Sequence, residues 1–394
     1  MKPRIYLFGI DEIKKGLATD IYFLRSREIL DKKGLCNTLV RYEIHTYGLP
    51  RGYKWAVYTG VEEVLALLEG KNITFYTVPE GTIFKDLYPL AIVEGRICDI
   101  IELETAILGL LRFYTSVSTK AARIKKIAGD KQVIFFGLRA QHPALAPALD
   151  RAAYIGGCDG VSGAFNQDTI GVKPSGTMPH ALIVTFRDPV AAWKAFDELM
   201  PPEVPRIALV DTFYDERMES LLAAKTLGNK LWGVRIDTPR SRRGDIRLIV
   251  EEIKWTLKVH GYDNVKIVVS GGVDEEQIAR LRDVVDVFGV GTSIAFPPSI
   301  DISMDIVEVY DEKEGAWIPI SKRGKLPAIK QLYRCTPIVE DYIDVPNRKI
   351  YCKDGREATP MLKKVVEKGS ILTEIPSIDK IREYVLDQLK YVEL

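Results

Sequence analysis

Histidine, cysteine and net charge are all scarce in this chain of 394 residues. Four histidines and five cysteines leave little material for a multi-histidine metal centre. The cysteines, Cys36, Cys98, Cys158, Cys335 and Cys352, are odd in number and scattered, so they do not read as a secreted disulfide framework. Cys335 and Cys352 share one segment and would make half of a tetrahedral zinc site, but no second pair or nearby histidine completes it. Two plain thiols are the expectation, and zinc is doubtful. Lys+Arg 55 against Asp+Glu 54 produces no global field, which argues against a nucleic-acid or membrane-surface protein and for a small-molecule ligand met by local charge. No apolar run approaches a membrane-spanning length. The opening decapeptide is followed too soon by Asp11 and Glu12 to be a signal peptide, so a cytoplasmic protein is expected. Repeats and low-complexity tracts are missing too, and no glycine-rich dinucleotide fingerprint follows the first strand, which weakens a doubly wound sheet.

What the chain does have is 46% hydrophobic residues, enough for a large core, and a length that implies two or three domains. Thr19-Asp20 caps a helix from about Ile21 to Leu30, Ile73 to Glu94 reads as several short strands, and Ile97 to Ala128 carries an almost unbroken helical pattern. From Val133 the rhythm changes. Short apolar runs at 133–136, 207–210, 231–236, 266–270 and 285–288 alternate with helices, which implies a parallel sheet closed, or nearly closed, into a barrel. After Pro297-Pro298 the β-type residues return. The expected fold is α/β: an irregular (β/α) barrel at 119–296, a flanking α+β domain at 1–118 completed by about 297–330, and a small C-terminal extension at 331–394.

The strongest chemical signal lies late in the barrel. Ser270-Gly271-Gly272 and Phe288-Gly-Val-Gly291-Thr292 each follow an apolar, β-branched run, as a strand turning into a helix does. Glycine lets backbone N–H groups approach an anion, and the helix start adds unpaired donors. Ordinary tight turns also favour glycine, but two in tandem match a barrel phosphate site. The other strand ends are polar: Arg139 and His142 after Phe136, Asp159 after Ile155-Gly-Gly, Asp211 and Thr212 after Val210, Arg235 and Asp237 after Val234. Arginines bind oxyanions bidentately, and aspartates hold ribose hydroxyls or Mg²⁺. Taken singly, each is as well explained by an ion pair at a barrel rim; segregated to one end, they make a candidate site. The run Arg235 to Asp245 holds four arginines and reads as a loop, either a solvated one or a flap for a polyanion. His180 follows a proline and opens a helix, where it suits a nucleophile or proton carrier as well as a cap or a core histidine.

Together Thr19-Asp-Ile-Tyr22, Phe136-Gly-Leu-Arg139, Gly156-Gly-Cys-Asp-Gly160, Gly176-Thr-Met-Pro-His180, Val210-Asp-Thr212, Val234-Arg-Ile-Asp237, Ser270-Gly-Gly272 and Phe288-Gly-Val-Gly-Thr292 resemble, in order, the nicotinate phosphoribosyltransferase family of type II phosphoribosyltransferases. The resemblance implies nicotinate and phosphoribosyl pyrophosphate as substrates, with Mg²⁺ and with ATP as co-substrate. It implies a pyridine ring between Phe136 and Tyr22 of a neighbouring subunit, hence a homodimer or higher homo-oligomer with shared active sites. Arg139 and Arg235 fall near the ribosyl phosphates and Asp237 and Asp211 near the ribose or Mg²⁺, with Arg139, Asp159 and Thr177 at substrate-binding positions. Gly271, Gly272, Gly291 and Thr292 fall around the 5-phosphate, and His180 at the phosphorylatable histidine. Lys322 and Arg323 match positions that reach a partner's site. A carboxylate at Asp159 suits nicotinamide better than nicotinate; nicotinamide and quinolinate stay open as substrates, although quinolinate would demand basic groups for a second carboxylate, of which the strand ends before residue 235 offer few. A barrel enzyme acting on a sugar phosphate would bring a lysine or glutamate to a strand end, where arginine, aspartate and glycine stand here. A phosphoribosyl-binding sensor would need neither His180 nor Asp237.

Overall fold

Six short strands rich in valine and isoleucine organise the middle of the chain: β1 (Gln132–Phe135), β2 (Gly160–Val161), β3 (Arg206–Leu209), β4 (Leu231–Ile236), β5 (Lys266–Val269) and β6 (Val287–Val290). Branched side chains suit a pleated surface, and a parallel sheet covered on both faces accepts continuous apolar runs; β6 is buried at every residue. All pairings are parallel, in the order β2-β1-β6-β5-β4-β3. That is the circular order of a barrel, opened between β2 and β3, and it makes the expected irregular barrel a half-barrel. The connection across the opening is long and carries the helices Asn166–Thr169, His180–Phe186 and Pro189–Leu199. Helices after β3, β4 and β5 start from aspartate caps: Asp215 accepts from Met218 N–H, Asp245 from Arg247 N–H and Asp274 from Gln277 N–H. Strand ends, caps and glycine turns therefore collect along one edge of the sheet.

The computed structural model describes residues 6–337 and 340–394, so the first half of the decapeptide read for a leader lies outside them. The half-barrel belongs to one of two units, Lys120–Pro297; the other comprises Met1–Thr119 and Pro298–Leu394. In this second unit an antiparallel sheet runs in the order Ala316–Pro319, Asp301–Asp311, Leu39–Gly48, Pro89–Arg96, Ile73–Thr77, Lys363–Glu367, Ser370–Ile371. Ile44, Phe75 and Val366 are fully buried on it, together with Leu68 of the helix Val61–Leu68, Ile107 and Leu111. Within the expected C-terminal extension, Lys363–Glu367 and Ser370–Ile371 belong to this sheet, while Gln331–Cys335, Glu340–Asp344 and Thr359–Pro360 form a separate three-stranded one. Lys363–Glu367 pairs with Ile73–Thr77. Gln388, on the terminal helix Ile378–Leu389, accepts from Ile83 N–H at 2.9 Å and donates to the Gly81 carbonyl at 2.9 Å. Among the described residues no helix is long and apolar enough to cross a membrane.

The expectation of plain thiols is overturned: Cys36 is bonded to Cys98, and Cys335 to Cys352. The sheet explains the first pair. Leu39 stands opposite Arg96 in the ladder, so cysteines just before the one strand and just after the other meet at its end. Distance along the chain hid that proximity. Each cross-link restricts the unfolded chain, an effect of about 2–4 kcal/mol. Glu340 lies beside Cys335 and Cys352, but disulfide sulfurs are not thiolates, and the trio does not fit a zinc site.

A buried histidine makes the sheet acid-sensitive. His45 Nε2 accepts from Lys325 Nζ at 2.7 Å, and Lys325 also pairs with Asp305 at 2.9 Å and lies 3.7 Å over the Tyr47 ring. Burial, then the Lys325 charge, push His45 down to about 4, against a weaker pull from Asp305. The unfolded imidazole takes its proton near 6.5, so between these values the unfolded state binds more protons, and stability is lost as pH falls from about 6.5 to 4. His45→Gln is expected to flatten the decline in melting temperature across that window, and melts at half-unit pH intervals check it.

Candidate active site

Phe136, at the end of β1, is a half-buried ring on a glycine floor. A Cβ at Gly289 would lie 2.7 Å from two of its ring carbons, so only glycine lets the ring settle across β6. The Arg235 guanidinium carbon stands 5.8 Å from the ring centre, which leaves an aromatic face bordered by a cation.

Arg235 and Asp237 leave β4 on the same side. Arg235 donates to Thr177 Oγ1, to the Met178 carbonyl at 3.3 Å and to Asp237 Oδ2 at 3.2 Å. Asp237 Oδ1 accepts from the Ser270 hydroxyl at 2.7 Å, and its own N–H donates to Asp211 Oδ2 at 3.0 Å. The Asp211 side chain is 2% exposed. Its Oδ2 also lies 3.0 Å from the Thr238 hydroxyl, while among the described residues its Oδ1 has no hydrogen-bond partner. Burial pushes Asp211 up from the ordinary carboxylate range, opposed by His180, the Thr238 hydroxyl and the Asp237 N–H. His180, the first residue of its helix, faces both acids: Nε2 is 3.7 Å from Asp211 Oδ1 and 3.8 Å from Asp237 Oδ2, while Nδ1 is 3.1 Å from Thr212 Oγ1.

The two glycine turns complete the rim. Gly271 and Gly272 both have left-handed backbone, φ +79° and +70°, and a Cβ at Gly271 would lie 2.8 Å from the Asp237 carbonyl oxygen. Turns that present successive N–H groups to one spot form anion-binding concavities. Among the described residues, the N–H groups of Gly271, Gly272, Gly291 and Thr292 donate to no protein acceptor. Arg240 folds over this turn, donating to the Gly272 carbonyl at 3.0 Å and to Asp274 at 3.2 Å.

Phe136, Arg139, Thr177, His180, Arg235, Asp237, Gly271, Gly272, Gly291 and Thr292 therefore line one cleft of about 970 Å³, with Asp211 just behind it. Two candidates lie elsewhere. Tyr22 is on the helix Ile21–Lys32 of the other unit and is 55% exposed. Asp159 is a correction: Ile155 ends a helix, and Asp159 precedes β2 instead of following a strand. Its carboxylate accepts from Val133 N–H at 2.9 Å and pairs with Lys125 at 2.8 Å, at the sheet edge opposite the cleft. The objection that a carboxylate there would repel nicotinate falls with it. Sequence reasoning did not single out Ser270, Gly289 or Thr238 individually, although the first two stand inside the glycine motifs and Thr238 directly follows Asp237.

Comparison with known proteins agrees with this geometry. Residues 117–305 match the C-terminal domain of quinolinate phosphoribosyl transferase, and residues 20–115 match its N-terminal domain. A crystal structure of nicotinate-nucleotide pyrophosphorylase from Pyrococcus furiosus is 49% identical, covers 100% of both chains and superposes with a TM-score of 0.95. Nicotinate phosphoribosyltransferase of Bacillus subtilis (strain 168) is 26% identical over 91% of this chain and 74% of its own. Human nicotinic acid phosphoribosyltransferase shares the fold, with a TM-score of 0.73 at 21% identity over 95% and 94% of the two chains. The chain is a phosphoribosyltransferase and belongs to the type II phosphoribosyltransferase family.

Proposed function

We propose that the pyridine substrate is nicotinate, converted with phosphoribosyl pyrophosphate to nicotinate mononucleotide and pyrophosphate in cytoplasmic NAD biosynthesis. One observation carries this choice. Of the guanidinium groups in the cleft, Arg235 is paired with Asp237 and Arg240 with Asp274, whereas Arg139 pairs with no carboxylate among the described residues. One uncommitted cation in the cleft that Phe136 also lines matches a pyridine with one carboxylate. Nicotinamide offers it no charge, and quinolinate brings a second charge that nothing in the cleft meets. Quinolinate is kept as the second reading because the matching family descriptions carry its name.

The ring stacks on Phe136, with the exposed Tyr22 of a second subunit supplying the other face, so the proposed active form is a homodimer or larger. Electron-poor rings sit well on aromatic faces. The 5-phosphate takes the free N–H groups of Gly271, Gly272, Gly291 and Thr292. The pyridine nitrogen forms a bond to the anomeric carbon as the bond to pyrophosphate breaks, with inversion. Its lone pair needs no base, so the residues position the reactants and stabilise departing charge. Asp211 and Asp237 would hold Mg²⁺, for which a buried carboxylate oxygen without a hydrogen-bond partner is a suitable ligand; when bound, Mg²⁺ neutralises pyrophosphate. ATP enters through His180: the imidazole takes the terminal phosphoryl group, ADP leaves, and water later cleaves the phosphohistidine.

The primary test is pyrophosphate release with nicotinate, nicotinamide or quinolinate, each with and without ATP. Release with nicotinate, stimulated by ATP and unstimulated in His180→Ala, is expected. Release with quinolinate accompanied by carbon dioxide would replace the substrate, and release with none would sink the reading. Arg139→Ala is expected to raise KM for nicotinate more than tenfold with little change in kcat, since a charge-assisted contact contributes about 1.5–3 kcal/mol; initial rates against nicotinate concentration check it. Gly271→Ala forces a side chain into a left-handed position against a carbonyl, and it should weaken ribose 5-phosphate binding at least tenfold by calorimetry.

A further inference from the structure

Glu219 is fully buried, yet among the described residues no cation pairs with it. It belongs to the helix Glu216–Leu227, and its carboxylate turns back to the loop that follows β3. There Oε2 accepts from Thr212 N–H at 3.1 Å, and Oε1 accepts from Phe213 N–H at 2.7 Å and Tyr214 N–H at 2.9 Å. Three consecutive peptide N–H groups converge on one carboxylate, as they do around a bound anion. Here the anion is the protein's own.

What this clamp holds is the face that His180 meets. The side chains of Phe213 and Tyr214 are exposed, so their packing does not set the loop's path; the three hydrogen bonds do. The residue at the start of the clamp is Thr212, whose hydroxyl lies 3.1 Å from His180 Nδ1. The preceding residue is Asp211, whose Oδ1 lies 3.7 Å from Nε2 of the same ring. A shift of the loop by one peptide plane would remove the Nδ1 contact and turn the ring away from its acids.

We propose that Glu219 is a positioning residue that fixes the orientation of the His180 imidazole through the Thr212 hydroxyl, keeping Nε2 toward Asp211 and Asp237. This rests on the assignment of His180 as the reacting group, but its structural half stands apart from any turnover. Glu219→Gln keeps the shape while placing an amide donor against backbone donors, so the clamp opens. Thr212→Val keeps the clamp and removes only the hydroxyl, and Thr212→Ser restores it.

The experiment is ¹⁵N-histidine NMR of the full chain, in which only four histidines contribute. Glu219→Gln and Thr212→Val are expected to move the His180 ring nitrogens in the same direction and leave His45, His142 and His260 in place, with Thr212→Ser near wild type. In the ATP-stimulated assay each single variant should lose at least fivefold in kcat at unchanged KM for the pyridine, and the double variant should be no worse than either single one. Unmoved His180 resonances in Glu219→Gln, or losses that multiply in the double variant, overturn the proposal. Should Glu219→Gln fail to fold, amide exchange in the wild type decides: protected Thr212, Phe213 and Tyr214 amides support the clamp, and exchange at free-loop rates overturns it. If no turnover is found with any pyridine, the resonances still test Glu219, so the two failures are distinguishable.

Discussion

Three strand ends meet around two carboxylates, and the shape of the cleft depends on how those oxygens are shared. Asp211, from the end of β3, gives one oxygen to the Asp237 N–H and the Thr238 hydroxyl and leaves the other toward His180. Asp237, from β4, divides its oxygens between Ser270 at the end of β5 and Arg235. Arg235 in turn holds Thr177 and the Met178 carbonyl, in the chain that crosses the sheet opening. Two acids thus fix the relative positions of three strands and the loop that delivers His180. Burying an acid without its partners costs several kcal/mol, which ties the arrangement to all of its members being present at once.

The opening between β2 and β3 is what makes room for that loop. In a closed barrel the two edge strands would hydrogen-bond to each other. Here the chain leaves β2, builds a separate layer of short helices and returns to β3, and along the way it lays Thr177 and His180 over the strand ends. Another buried carboxylate steadies the early part of this excursion: Asp150 accepts from Gly163 N–H at 2.9 Å and from the Asn166 side chain at 2.7 Å. The departure from a full barrel is therefore part of the site's construction.

The strands and the glycine turns were legible because their signals are local. An apolar β-branched run followed by paired glycines can be read wherever it occurs, and Gly271, Gly272, Gly291 and Thr292 fell into the cleft together. Arg235 and Asp237 were legible for the same reason, as polar residues at the end of a clear strand. Asp159 was misread because β2 is only two residues long and begins after it, so an apolar helix end was taken for a strand. The disulfides were missed because register, not spacing, brings Cys36 to Cys98. Glu219 gave no signal at all: nothing in a helix-start glutamate shows that its side chain folds back on the preceding loop.

The charges in the cleft argue most directly about what it accepts. A site for phosphoribosyl pyrophosphate must meet several negative charges, and a large stock of arginines would be the obvious provision. Instead, two of the guanidinium groups that line it are already matched by aspartates, and the glycine rim offers uncharged N–H donors. A rim of this kind grips a phosphate by directed hydrogen bonds and the polarity of short helix starts, while adding no net charge that would also draw in the wrong anion. In the proposed function, discrimination between pyridines falls to the group that remains unmatched. Under the proposed reading, with Arg139 as that group, one negative charge on the ring is complementary, none is indifferent, and two leave one charge without a partner.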